Sequence, residues 1–146
     1  MYKNVLLPVD GSELSQRAVN ECIGLVKSTG AKVSLIHVIA RFHLHYRGAP
    51  QLVRKIEKEH EDDARQLAKE WIDKLVERVR AEGVDCEGVI VVGEHTYTEI
   101  IDMADQRGCD LIVMASHGHS GLHAVLMGSE TVKVLTHSKI PVLVVR

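Results

Sequence analysis

The run Val5-Leu6-Leu7-Pro8-Val9, closed by Asp10-Gly11-Ser12, decides how this chain is read. A continuous apolar run this short reads as a strand buried on both faces, and Asp-Gly-Ser is turn chemistry. Strands of that kind belong to parallel sheets with helices on either side. From Glu13 the period changes: Leu14, Ala18, Cys22, Leu25 and Val26 share one helical face, until Ser28-Thr29-Gly30 stops the helix.

The same alternation continues to the end of the chain. Val33 to Ile39 forms a second strand, interrupted by the polar residues Ser34 and His37. Arg41 to Pro50 (RFHLHYRGAP) carries neither period and reads as a loop. Gln51 to Glu82 predicts a long helix whose apolar face holds Ala64, Leu67, Ala68, Trp71, Ile72, Leu75, Val76 and Val79, with Gly83 after it. Val89-Ile90-Val91-Val92 is a third strand, ended by Gly93-Glu94. A helix over Thr96 to Gln106 turns Ile100, Ile101 and Ala104 inward and stops at Gly108. Leu111 to Ala115 is the fourth strand, Ser129 to His137 a further helix, and Ile140 to Val145 the last strand.

Strands alternating with helices imply βαβ units and right-handed crossovers. The expected fold class is therefore α/β: a three-layer, doubly wound, five-stranded parallel sheet in the order 3-2-1-4-5. No linker or internal repeat divides residues 1–146, so one domain is expected.

Composition narrows the function. Lys plus Arg number 18 against 20 for Asp plus Glu, a net charge of -2, which argues against nucleic acid or anionic lipid as a partner. One Trp, three Tyr and one Phe leave little for base-stacking platforms. No apolar stretch approaches the roughly 20 residues of a membrane span. MYKNVLLPVDGSE lacks the apolar core of a secretory leader, and the three cysteines form no close pair. A cytoplasmic protein with reduced thiols is expected.

In a sheet of this order the winding reverses between the first and fourth strands, and ligands bind beyond the strand ends at that point. The loops leaving those strands are Asp10-Gly11-Ser12 and Ser116-His117-Gly118-His119-Ser120-Gly121, the two turns richest in small and polar residues. Gly128-Ser129 opens the next helix, where free N–H groups and the positive dipole end favour an anion. Ser129 and Thr131 add hydroxyls that could bond phosphate oxygens; a plain glycine turn with Ser129 as N-cap is the simpler alternative. Neither G-x-x-x-x-G-K-[ST] nor a G-x-G-x-x-G after the first strand is present.

Three stretches together resemble the universal stress protein family: MYKNVLLPVDGSELSQRAV, VSLIHVIA and CDLIVMASHGHSGLHAVLMGSETVKVLTHSKIPVLVVR. The resemblance covers essentially the whole chain and is most specific at its two ends. The family's nucleotide-binding branch carries G-x2-G-x9-G-[ST]. Here Ala115-Ser116-His117-Gly118 is followed, after nine residues, by Gly128-Ser129, so the spacing is kept and Ala115 stands for the first glycine. The resemblance implies an adenine nucleotide alpha hydrolase-like fold binding ATP, or AMP or ADP, with Mg held through the phosphates. It places Asp10 at the adenosine, with Pro8 and Val9 beside it, and Val38 on the adenine through its backbone. Met114, Ala115, His117 and Gly118 would line the sugar and phosphates, and Gly128, Ser129 and Thr131 would take the phosphates. Glu130, an acid beside that place, must point away or help hold a cation. It also implies a homodimer through the last strand, Ile140 to Val145, and a regulatory protein partner.

Alternatives come from other classes. His117, His119 and His123 could gather a metal, although no cysteine or carboxylate stands at a recognised ligand spacing with them. A slow ATPase would need a cation on the terminal phosphate, and Ser116 to Ser129 contains no Lys or Arg. A stress-related scaffold that binds no nucleotide is the third reading, favoured by Ala115. The expectation is a nucleotide-binding sensor with no catalytic residue, in which nucleotide orders the Arg41–Pro50 and Ser116–Gly128 loops.

Overall fold

The structure, a computed structural model, describes residues 1–118 and 127–146. Strands and helices alternate along the chain: β1 (Asn4–Pro8), α1 (Glu13–Lys27), β2 (Lys32–Ala40), α2 (Pro50–Ala81), β3 (Cys86–Gly93), α3 (Thr96–Gln106), β4 (Leu111–Ala115), α4 (Ser129–His137) and β5 (Val142–Val145). All strand pairs are parallel, and the order is β3-β2-β1-β4-β5, as expected from the sequence. Expectations that rest on His119, Ser120, Gly121 and His123 lie outside the described residues.

The sheet is buried on both faces because successive side chains point to opposite sides. Val5, Leu7, Val33, Leu35, Leu111 and Val113 join Ala18, Val19, Cys22 and Val26 of α1 and Ile72, Leu75, Val76 and Val79 of α2. Leu6, Ile36, Ile112 and Met114 face the other way, onto Ile100 and Ala104 of α3 and Val134 of α4. Burying one such Leu, Ile or Val contributes about 1.5–3 kcal/mol. This two-sided apolar lattice fixes strand register, and so fixes which loops meet at the carboxyl end.

Two strand starts and one helix face differ from the sequence reading. β3 begins at Cys86 instead of Val89, with Cys86, Glu87 and Gly88 opposite Val33, Ser34 and Leu35. The polar start is tolerated because Glu87 is tied down: the Ser34 hydroxyl donates to its Oε1 at 3.1 Å, and Lys32 Nζ lies 3.1 Å away. β5 begins at Val142, since Ser138 Oγ bonds both the amide and the carbonyl of Ile140, making a turn of the residues before it. Pro141 could in any case give no N–H to a ladder. In α2, Leu67 is 66% exposed rather than part of the apolar face, and the buried residues are Ala68, Ile72, Leu75, Val76 and Val79.

No residue of α2 before Ala68 is buried. The preceding loop lies against this half of the helix: Phe42 stacks on His60 at 4.4 Å between centroids, and the Leu44 amide donates to Glu57 Oε1 at 2.9 Å. Among the described residues no helix is long and apolar enough to cross a membrane.

Candidate functional site

At the carboxyl end of β1 the chain turns sharply into α1. Gly11 has φ +81°, a conformation open to glycine at little cost, and it allows the flanking side chains to bond the turn. Asp10 Oδ1 accepts the Ser12 amide at 2.9 Å, and Ser12 Oγ accepts the Ser15 amide at 3.2 Å as the N-cap of α1. The Asp10 amide donates to Ser15 Oγ at 3.3 Å. Oδ1 of Asp10 thus serves the turn, in keeping with the turn chemistry of Asp-Gly-Ser.

Its second oxygen faces the other loop. A β-carbon built on Gly118 would collide with Asp10 Oδ2, so the loops leaving β1 and β4 touch at these two residues. The return into α4 is equally tight. The Gly128 amide donates to Ser116 O at 2.6 Å, and a β-carbon on Gly128 would lie 2.9 Å from His117 Cα. Gly128 is itself the N-cap of α4, with no side chain to cap the helix. The amides of the first turn of α4 have no partner within the helix, and they carry its positive dipole end.

These loops border a cleft of about 650 Å³ at the winding reversal. Every residue proposed from the sequence lines it: Pro8, Val9, Asp10, Val38, Met114, Ala115, His117, Gly118, Gly128, Ser129 and Thr131. Ile36, Val38, Ile100 and Met114 provide apolar wall, while Asp10, His117, Ser129 and Glu130 provide polar groups. Cleft walls are therefore aliphatic, with no aromatic ring among the described lining apart from the two imidazoles.

Two of the proposed residues have specific internal duties. The Thr131 hydroxyl donates to Ala115 O at 3.0 Å and the residue is buried, so it joins α4 to β4. While that bond stands, a phosphate oxygen could not receive the same hydroxyl proton. Ala115, in place of the family's first glycine, packs against the α1–α2 core. Ser116 is buried, and its Oγ lies 3.1 Å from His117 Nδ1.

Several cleft residues escaped the sequence reading. His37 is oriented by its Nδ1, 2.9 Å from Val9 O, and by Trp71, whose ring meets it edge-on at 4.9 Å. A carbonyl can only accept, so Nδ1 carries the hydrogen. Its position next to Val38 on β2 was the available clue. Thr96 and Ile100 reach the cleft from α3. Nothing in their local sequence indicates this, because it depends on where α3 packs. Glu130, expected beside the phosphate place, lines the cleft from α4. Glu130 points toward α3: its Oε2 accepts the Tyr97 amide at 2.9 Å.

No three His, Cys, Asp or Glu side chains converge as a metal site among the described residues. The buried thiols lie within the apolar core clusters, where desolvation pushes Cys22 up to about 12 and Cys86 up to about 11.

Comparison with known proteins agrees with this architecture. The sequence matches the universal stress protein family over residues 1–146. A universal stress protein of Methanocaldococcus jannaschii is 31% identical, covering 100% of this chain and 96% of its own. Universal stress protein YxiE of Bacillus subtilis is 30% identical, with 100% of both chains covered. Among solved structures, universal stress protein UspA from Lactobacillus plantarum superposes with a TM-score of 0.86 at 28% identity, covering 99% of this chain and 98% of that one. A universal stress protein solved in complex with cAMP gives 0.70 at 25% identity, covering 99% and 97%. With sequence, strand order and the glycine-bounded cleft in agreement, the chain belongs to the universal stress protein family.

Proposed function

We propose that this protein binds an adenine nucleotide, ATP or its mono- and diphosphate relatives, and acts as a stress sensor or regulator. The observation that carries the reading is the meeting of Asp10 and Gly118 over a cleft that also receives the amide-bearing end of α4. A volume of about 650 Å³ suits a small-molecule ligand, since such pockets run from about 300 to 1,000 Å³. Adenine would lie on Pro8, Val9, Val38 and Met114, with backbone hydrogen bonds in place of stacking. Asp10 would take the ribose. Backbone amides at Gly118 and Ser129, with the Ser129 hydroxyl and His117, would hold phosphate, while the Gly128 amide closes the turn onto Ser116 O. Thr131 contributes by fixing α4 on β4. Magnesium would enter with the phosphates, whose oxygens suit a hard cation. The relative in complex with cAMP supports an adenine ligand in this family.

Binding is favoured over catalysis. No lysine or arginine lines the cleft among the described residues, so no fixed cation there stands ready for charge developing during phosphoryl transfer. The Ala115 methyl packs into the α1–α2 core, which supports treating this departure from the family motif as compatible with nucleotide. Dimerisation through β5 belongs to the same proposal: β5 is an edge strand, and Leu143 on it is 42% exposed. The proposed regulatory effect is a population shift in the Arg41–Pro50 loop and at the Ser116–Gly118 end of the cleft, read by a protein partner.

Calorimetric titration of the folded protein with millimolar ATP and Mg²⁺ tests this, together with denaturing extraction of a separate sample for co-purified nucleotide. Saturable heat or extracted adenine nucleotide is expected; the absence of both would overturn the reading.

A further inference from the structure

Glu130 and Asp10 are the two carboxylates lining the cleft among the described residues. Both oxygens of Glu130 are engaged. Oε2 accepts the Tyr97 amide in the first turn of α3 at 2.9 Å, and Oε1 lies 3.1 Å from Lys133 Nζ. Each partner is a positive feature that a phosphate chain would otherwise attract. The amide belongs to the positive end of α3. Lys133 is the sole lysine or arginine from residue 116 to residue 138, and its ammonium also sits 5.4 Å from the centre of the Tyr97 ring.

The cleft end of α4 is therefore left with backbone partial charges, a dipole end worth about half an elementary charge. That suffices for one phosphate bound by amides. A triphosphate brings several further negative charges toward the Glu130 carboxylate, in a cleft where such repulsion is less screened than in water. Glu130 thus opposes a long phosphate chain twice, by its own charge and by occupying the neighbouring donors.

Resting on the adenine-nucleotide reading above, we infer that Glu130 makes the site selective for phosphate charge. It admits an adenine ligand carrying one phosphate in preference to a free polyphosphate, and admits the polyphosphate as its divalent-cation complex. Glutamine at this position keeps a carbonyl oxygen for the Tyr97 amide while removing the charge and releasing Lys133.

The test is calorimetric titration of the full chain with AMP, with ATP in EDTA, and with ATP in excess Mg²⁺. For the wild type, AMP is expected to bind at least about tenfold more tightly than free ATP, with Mg²⁺ closing most of the gap. Glu130→Gln should bring the AMP-to-ATP ratio in EDTA to within about threefold, and Lys133→Gln should widen it. Raising the salt concentration should compress the wild-type ratio. A wild type that prefers free ATP, or a ratio that Glu130→Gln leaves unchanged, overturns this inference and leaves the adenine reading standing. Binding of none of these nucleotides overturns both.

Discussion

A β-carbon on Gly118 would collide with Oδ2 of Asp10, and so residues separated by three strands of sequence share one point in space. The contact joins the loop that leaves β1 to the loop that leaves β4, at the place where the sheet changes its winding direction. It also makes two glycines of one motif unequal. Gly118 meets the tip of a side chain, whereas Gly128 meets His117 Cα at 2.9 Å and Ser116 O at 3.1 Å.

Alanine should therefore separate the two positions. Asp10 can rotate away from Gly118→Ala, so little stability is lost, about 1 kcal/mol or less, while the cleft is invaded. Gly128→Ala presses on backbone and should cost about 1–3 kcal/mol. Urea unfolding measures the difference, and equal midpoints for the two variants would contradict it. Under the nucleotide proposal both variants lose affinity, and Gly118→Val or Gly128→Val abolishes binding.

Asp10 divides its work between two oxygens, and substitutions can divide them too. Asp10→Asn keeps an oxygen for the Ser12 amide and should leave stability within about 0.5 kcal/mol. Asp10→Ala removes that bond and should cost about 1 kcal/mol. If Asp10 also takes the ribose, both lower ATP affinity, with alanine the more damaging. Thermal unfolding and calorimetry on the same samples would show whether the two effects part as expected.

Burial holds Cys22 near 12 and Cys86 near 11, far above the ordinary thiol value of 9.0. Cys109 moves in the same direction, again chiefly by desolvation. The thiolate is the reactive form, so a disulfide reagent at pH 8 should label the native protein slowly and the urea-unfolded protein at all three cysteines. Fast labelling of the folded chain would be inconsistent with this packing.

Glu87 predicts an acid limb. Burial pushes its pKa up, but hydrogen bonds from Lys32 and Ser34 and the Arg107 charge outweigh it, and the net shift is downward from 4.5. A lowered folded-state pKa means that the stabilisation is fully present above the unfolded value. It is lost as pH falls from about 4.5 through the folded value. Glu87→Gln should therefore be less stable than wild type at pH 7 and should lose less on acidification, as followed by unfolding midpoints between pH 7 and pH 3.

Should β5 carry the proposed dimer, Leu143→Glu would place a charge on its exposed edge. Sedimentation equilibrium should then find a dimer for the wild type and a monomer for the variant. A monomeric wild type at micromolar concentration would sink that part of the proposal.

How much of this could be read from the sequence differs from element to element. β1, β2 and β4 were legible because Val5 to Val9 and Leu111 to Ala115 are apolar throughout and Val33 to Ile39 is apolar apart from Ser34 and His37, as strands largely covered on both faces must be. The start of β3 was not, because Glu87 joins the strand through Lys32 and Ser34, partners 55 and 53 residues away in sequence. In the site, Asp10, Gly118 and Gly128 stand in turns whose chemistry is local, and so they could be named in advance. Thr96 and Ile100, and the bond of Glu130 to the Tyr97 amide, depend on the packing of α3 beside α4, which no local pattern encodes. Thr131 lines the cleft, but its hydroxyl bond to Ala115 is a tertiary fact that no local pattern shows.

The unburied first half of α2 has a thermodynamic consequence. Residues 50–67 contribute none of the buried side chains of that helix, and their ion pairs, Lys55–Glu59, Lys58–Asp62 and Arg65–Glu61, are all one turn apart on exposed surface. Such pairs stabilise a helix by about 0.3–0.5 kcal/mol each, and salt screens them. Amide protection along α2 should then form a gradient, with the Ala68–Val79 half exchanging only on global opening and the earlier half fraying independently. Because the Arg41–Ala49 segment is fastened to that earlier half through Glu57 and His60, fraying of the helix as ionic strength rises would loosen its hold there with no ligand required.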